Sequence, residues 1–146
     1  ILACAMTFVW LLTAEQLPHQ MADFIVSRVD TWWMFMLFVA VFFLITGAAM
    51  DAVSAMIVLS PLFMETLNRY GIDYVHYGIV MVLMIEFGFL TPPFGLNLFV
   101  AMGITGKPLT SIARATLPFL FLLLACVMLV TFIPEISLIL PDLLLR

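Results

Sequence analysis

The chain has 146 residues, of which 66% are hydrophobic and 10% charged, and its mean hydropathy is +1.27. It is far too apolar for a soluble globular domain and reads as an all-α, multi-pass membrane protein, residues 1 to 146 forming a single membrane domain. Five basic and nine acidic residues give a formal net charge of −4 with no basic cluster, which excludes nucleic-acid binding, and Cys4 and Cys126 are two distant thiols that define no disulfide framework.

Residues 1 to 14 form an apolar block that begins at Ile1 without a Met, a basic n-region or a small-residue cleavage site. It is expected to be the tail of a longer apolar helix in a larger protein. Over 15 to 30 the pattern changes: Leu17, Met21, Phe24, Ile25 and Val29 recur at helical spacing opposite Glu15, His19, Gln20, Asp23 and Ser27. This predicts an amphipathic helix lying on the bilayer, with Pro18 in its first turn and Trp32 and Trp33 anchored at headgroup level just beyond.

Two apolar arms follow, Thr31 to Thr46 and Ala52 to Asn68, around the small-residue segment Gly47-Ala48-Ala49-Met50-Asp51. Each arm is about 16 residues, where a simple span needs about 20, so 31 to 68 is expected to form a re-entrant helical hairpin. One long tilted helix is the alternative. Asp51 argues for the hairpin, because an ionisable carboxylate at membrane depth is costly and is retained facing a cavity, a partner or a pathway.

Asn68 to Asp73 is a polar turn in which Gly71 closes one helix and Asp73 caps the next. The apolar run from 74 to 104 is then interrupted by Gly88-Phe89-Leu90-Thr91-Pro92-Pro93-Phe94-Gly95-Leu96-Asn97. Pro92 and Pro93 have no N–H, and their rings clash with the preceding turn. Helical bonding is therefore expected to lapse around Gly88 to Thr91, leaving a discontinuous transmembrane helix. In hydrocarbon such freed backbone survives only where protein, water or bound ions replace the missing partners. Beyond Thr105-Gly106-Lys107-Pro108, Leu109 to Ala115 is expected to be a short connector. Pro118 should then open the final span, 117 to 140, with its end near Pro134 and Pro141. The basic residues divide between the two faces and leave orientation open.

The two interruptions can meet at the bilayer midplane if the hairpin lies beside the broken helix. Half-helix N-termini then offer N–H groups to an anion, while C-terminal carbonyls suit Na⁺. Hard cations take oxygen ligands, which makes Thr46, Gly47, Asp51, Gly88 and Thr91 the candidate Na⁺ ligands. Ala48, Asp51, Ser54, Pro93 and Asn97 are the candidate substrate contacts. Gly47, Ala48 and Ala49 would equally serve close helix packing. Glu86 is open to three roles: a neutral hydrogen-bonded group, a proton carrier or a neighbour of an ion site. His76 reads as an interfacial hydrogen-bonding group near a helix start.

A transporter accounts for both breaks and the intramembrane carboxylate with one mechanism. A purely structural membrane subunit would need neither Asp51 nor the Thr-Pro-Pro break. An intramembrane enzyme would need a nucleophile with a base, or a metal set. The chain has no H-E-x-x-H and no G-x-S-x-G, and His19 and His76 are far apart, so no catalytic residue is assigned.

Gly47 with Met50-Asp51, the following Pro61, Gly71-Ile72-Asp73 with His76-Tyr77-Gly78, Thr91-Pro92-Pro93 with Gly95-Leu96-Asn97-Leu98, and Pro118-Phe119 form a specific set. In these motifs, which span nearly the whole chain, the sequence resembles the C-terminal portion of the large membrane subunit of tripartite ATP-independent periplasmic (TRAP) transporters. The resemblance implies an elevator-type secondary transporter of inverted repeats, this chain holding the second repeat's hairpin and broken helix. It also implies Na⁺-coupled uptake of an organic acid across a bacterial or archaeal inner membrane. The implied partners are a periplasmic substrate-binding protein, a small membrane subunit and the remainder of the large subunit.

Overall fold

The computed structural model describes residues 2–92 and 95–145, among which there are eight α-helices and no strand. They are α1 (Leu2–Ala14), α2 (Leu17–Val26), α3 (Trp32–Ala49), α4 (Ala52–Tyr70), α5 (Tyr74–Leu90), α6 (Leu96–Thr105), α7 (Leu109–Phe132) and α8 (Pro134–Leu145). Local chemistry sets most of the boundaries. Gln16 breaks the chain between α1 and α2 in a left-handed conformation (φ 55°), and Pro18 sits in the first turn of α2. Asp51 caps α4 by accepting the Ser54 N–H at 2.9 Å, and Asp73 caps α5 by accepting the Val75 N–H at 2.7 Å. Gly71 ends α4 at φ 66°, where a β-carbon would be strained, and the Ile72 N–H closes back on the Leu67 carbonyl at 3.0 Å.

The centre is α3 against α5. Phe35, Met36, Val39, Ala40 and Phe43 share one buried cluster with Tyr77, Val80, Met81, Met84 and Ile85. Phe63 of α4 inserts among Phe35, Phe38, Phe42 and Phe43, with ring centroids 5.3 to 6.3 Å apart, the tilted and edge-on geometry that aromatic quadrupoles favour. α2 lies along α4 with Ala22 and Ile25 buried, while α7 packs on α5.

α3 and α4 form a helical hairpin whose tip is two extended residues, Met50 and Asp51. Its ends meet: the Tyr70 hydroxyl donates to the Val29 carbonyl, and Tyr70 stacks on Phe35 at 5.2 Å. The arms, 18 and 19 residues, are longer than expected, because the helix continues through Gly47, Ala48 and Ala49 instead of breaking there. At 1.5 Å per residue α3 is about 27 Å long, so length alone no longer excludes a full crossing. Among the described residues α3 and α7 are long and apolar enough to cross a membrane.

The last third departs from expectation. Leu109 to Ala115 is no connector: α7 runs unbroken from Leu109 to Phe132 with Pro118 inside it. The bond that Pro118 cannot make would have gone to the Arg114 carbonyl, at an exposed, charged end of the helix where other partners can serve it. The chain bends instead at Ile133, and Pro134 starts α8, which continues through Pro141. His76 belongs to this junction. It is 1% exposed, and its Nδ1 is 2.7 Å from Ser137 Oγ. Because the Ser137 hydroxyl itself donates to the Pro134 carbonyl at 2.8 Å, the imidazole Nδ1–H is the donor, tying α5 to the first turn of α8.

Candidate functional site

The hairpin and the broken helix touch at Gly47 and Gly88. A β-carbon on Gly88 would lie 2.7 Å from the Ala48 nitrogen and 2.8 Å from both the Gly47 carbonyl carbon and the Leu44 oxygen. One on Gly47 would lie 2.7 Å from Ile85 Cα. The two backbones approach more closely than any side chain would permit. Close packing is thus the role of these two glycines, and the same packing brings the sequence's two interruptions together. α3 and α5 meet near their C-terminal ends, just where α4 and α6 are about to begin.

The carbonyl inventory at this junction follows from the prolines. Pro92 lacks the N–H that would have bonded the Gly88 carbonyl, and the Thr91 N–H takes it at 3.0 Å. The helix ends at Leu90, within the expected window, and the Gly88 oxygen keeps one lone pair free. Gly95 leaves room beside the end of α5, since a β-carbon there would be 2.6 Å from the Phe89 oxygen. On α3 the Met50 N–H takes the Thr46 carbonyl at 2.8 Å. The carbonyls of Gly47, Ala48 and Ala49 lie beyond this last bond. The Thr46 hydroxyl donates to the Phe42 carbonyl at 3.0 Å and the Thr91 hydroxyl to the Phe87 carbonyl at 2.8 Å. With their protons so directed, both hydroxyl oxygens turn lone pairs outward, the orientation a cation requires.

The residues expected to contact substrate are less closed. Asp51 is exposed and caps α4, and the Ser54 Oγ beside it is buried with no hydrogen-bond partner among the described residues. The N-terminus of α6 has no side-chain cap at Gly95, and Asn97 in its first turn is exposed. Thus Gly47, Ala48 and Gly88 meet at the crossing, Thr46 and Thr91 lie near it in sequence with their hydroxyls bonded to their own helices, Asp51 and Ser54 are joined to each other, and Asn97 stands on α6, which packs on α5 and α7. Pro93 lies outside the described residues. Among those described, no group of three or more His, Cys, Asp and Glu side chains could hold a metal ion. A cation here would depend on backbone and hydroxyl oxygen.

One polar cluster escaped the sequence reading. Arg69 donates to Asp23 at 2.6 Å and to Glu65 at 3.4 Å, while His19 Nδ1 sits 2.7 Å from Glu65. It fastens the amphipathic α2 to the outer end of α4. The signal was the pair of i,i+4 spacings, His19 with Asp23 and Glu65 with Arg69, which place each pair on one helix face.

Comparison with known proteins decides the family. The model of the tripartite ATP-independent periplasmic transporter DctM component matches residues 1–136. The chain belongs to that family. It is a transporter family, not an enzyme family. The C4-dicarboxylate TRAP transporter large permease protein DctM of Pseudomonas aeruginosa is 43% identical over 97% of this chain and 33% of its own length. The isethionate TRAP transporter permease protein DctMQ of Oleidesulfovibrio alaskensis is 32% identical over 93% of this chain and 21% of its own length. The sialic acid TRAP transporter large permease protein SiaM of Vibrio cholerae is 31% identical over 94% of this chain and 32% of its own length. The chain therefore spans a third or less of these relatives.

Proposed function

We propose that this chain is part of the membrane permease of a Na⁺-coupled secondary transporter that imports organic anions across the inner membrane. A periplasmic binding protein delivers the substrate, and a small membrane subunit completes the complex. The observation that carries this reading is the Gly47–Gly88 crossing, which sets the carbonyl ends of two half-helices side by side. Each end carries about half a negative charge, so together they favour a cation, with the Thr46 and Thr91 hydroxyls as neutral ligands and Asp51 as nearby fixed charge. The substrate carboxylate belongs at the opposite kind of terminus. The N-terminus of α4 is already served by Asp51, whereas that of α6 has no side-chain cap. The anion is therefore assigned to the start of α6, with Asn97 in its first turn as a polar contact. The relatives' names fit this chemistry, since C4-dicarboxylates, isethionate and sialic acid are all small organic anions. The tight crossing also suits an elevator, in which hairpin and broken helix travel as one body.

The test is uptake by the complete complex in proteoliposomes, with loaded binding protein and an inward Na⁺ gradient. Asn caps a helix as well as Asp does, so Asp51→Asn keeps the fold and removes only the charge. It is expected to raise the Na⁺ needed for half-maximal uptake by about tenfold, the scale of one charge-assisted contact. Thr91→Val should act in the same direction with normal assembly. Uptake that does not respond to Na⁺ would refute the coupling.

A further inference from the structure

Arg28 is a cation that neither the site nor the cluster on α2 and α4 uses. It stands just past the end of α2, its guanidinium carbon 5.2 Å from the centroid of the Phe24 ring. Among the described residues its side chain makes no ion pair and no hydrogen bond, whereas Arg69 is shared by Asp23 and Glu65. A ring face holds a cation through its quadrupole, which leaves the guanidinium N–H donors unspent. Beside Arg28 a groove of about 490 Å³ opens between α2 and α3. Leu17, Met21 and Phe24 of α2 and Phe38 of α3 wall it; Gln20 and Arg28 are its polar members, and among the described residues no carboxylate lines it. From Leu17 to Arg28 the groove runs about 16 Å at the helical rise.

The pattern of the groove selects its occupant. Phe24 and Phe38 are 63% and 44% exposed, an apolar surface that asks for an apolar partner. The groove is cationic at one end only, and just beyond that end are the exposed Trp32 and Trp33, the residue type that marks headgroup level. A hydrocarbon chain that ends in an anion matches both features. A free phosphate would leave the apolar walls uncovered, and an apolar helix from another subunit would leave Arg28 unanswered. With no carboxylate in the lining to receive a headgroup ammonium, the match is to an anionic headgroup. We propose that the groove between α2 and α3 seats one acyl chain of an anionic phospholipid, whose phosphate is bound by Arg28. The lipid lies against the connector that leads into the hairpin, and its binding requires neither Na⁺ nor the substrate site.

The complete permease complex, purified and delipidated, is incubated with a phosphatidylglycerol that carries a photoreactive diazirine midway along one acyl chain, and the labelled peptides are mapped by mass spectrometry. Labelling is expected between Leu17 and Val29 and at Phe38, saturating with lipid and undiminished by glycerol phosphate, which has the anion but no chain. Arg28→Gln should raise the lipid concentration for half-maximal labelling by about fivefold, the scale of one cation at a membrane surface. Phe24→Ser, at an exposed position, should weaken labelling by removing a wall, and Arg114→Gln, an exposed arginine outside the groove, should leave it unchanged. No labelling of the groove, or labelling that Arg28→Gln and Phe24→Ser leave as in wild type, overturns the proposal; so does an equal loss with Arg114→Gln. A second arm works in the native membrane, with photoreactive benzoylphenylalanine replacing Phe24. A crosslink to phospholipid supports the assignment, whereas a crosslink to the small membrane subunit or to the rest of the large subunit gives the groove to protein and overturns it.

Discussion

Replacing Gly88 with alanine sets two opposed effects against each other at one atom. Alanine is the better helix former by roughly 0.5–1 kcal/mol, so at an open helical position the change would stabilise. At this position the new β-carbon meets the Ala48 nitrogen at 2.7 Å and the Leu44 oxygen at 2.8 Å. Comfortable carbon contacts lie at about 3.5–4.0 Å, and the obstructing atoms are backbone that cannot rotate away. The helices must part by up to about 1 Å, which opens the Phe43, Ile85 and Val80 contacts around the crossing; overpacking of this kind costs about 1–3 kcal/mol. The clash wins, and the net expectation is a loss of about 1–2 kcal/mol after the propensity gain. Gly47→Ala meets Ile85 Cα at 2.7 Å and should behave alike. Because the two glycines share one contact, helices already parted by the first alanine accept the second cheaply. The double variant should lose less than the sum of the singles, by about 0.5 kcal/mol or more. Gly78, in the same helix with nothing within 4 Å of its would-be β-carbon, is the matched control and should tolerate alanine. Thermal melting of the purified, complete large subunit measures all four. A Gly88→Ala protein that melts at or above wild type, alongside a neutral Gly78→Ala, would refute the backbone crossing.

Two further outcomes test the surroundings. The meeting of Val29 with Tyr70 puts both ends of the hairpin on one side, so single cysteines at Asp30 and Asn68 should be labelled from the same face by an impermeant reagent; opposite-face labelling would dismantle the hairpin. Arg69→Met removes the cation shared by Asp23 and Glu65. It should lower the melting temperature modestly at low salt and very little at high salt, since exposed pairs are screened; a salt-independent loss would mean that packing of the arginine stem, not its charge, holds α2 in place.

What the sequence disclosed about this fold was what covalent chemistry enforces locally. Asp73 and Gly71 cap and stop helices through their own side chain or backbone freedom where the reading expected it, and Asp51 adds a cap at α4 that the reading did not assign. The break before Pro92 was legible for the same reason, and α5 ends at Leu90, within the expected Gly88 to Thr91 window. Proline withdraws a bond from the carbonyl four residues earlier, and the Thr91 N–H repairs that loss, so the helix survives to Leu90. Pro118 and Pro134 show the limit of such reasoning. Both lack the same N–H, yet one lies inside a helix and the other begins one. No local pattern records that. The cluster joining His19, Asp23, Glu65 and Arg69 was hidden for a related reason: its members are 46 residues apart across two helices, and only the packing of α2 on α4 makes them neighbours.

The site divides along the same line. Gly47 and Gly88 are each other's partners, so the crossing is complete within this chain and the structure displays it in full. Asp51, Asn97 and Glu86 are exposed, and Ser54 Oγ is buried without a partner. Polar groups at membrane depth do not stay unanswered. In the proposed transporter they are answered by what this chain does not contain: the ions, the substrate, and a matching half-site from the rest of a large subunit about three times this length, as the relatives' lengths imply. A half-site read alone should show this combination, with the helix packing that shapes it finished and the charges that define its ligands facing outward.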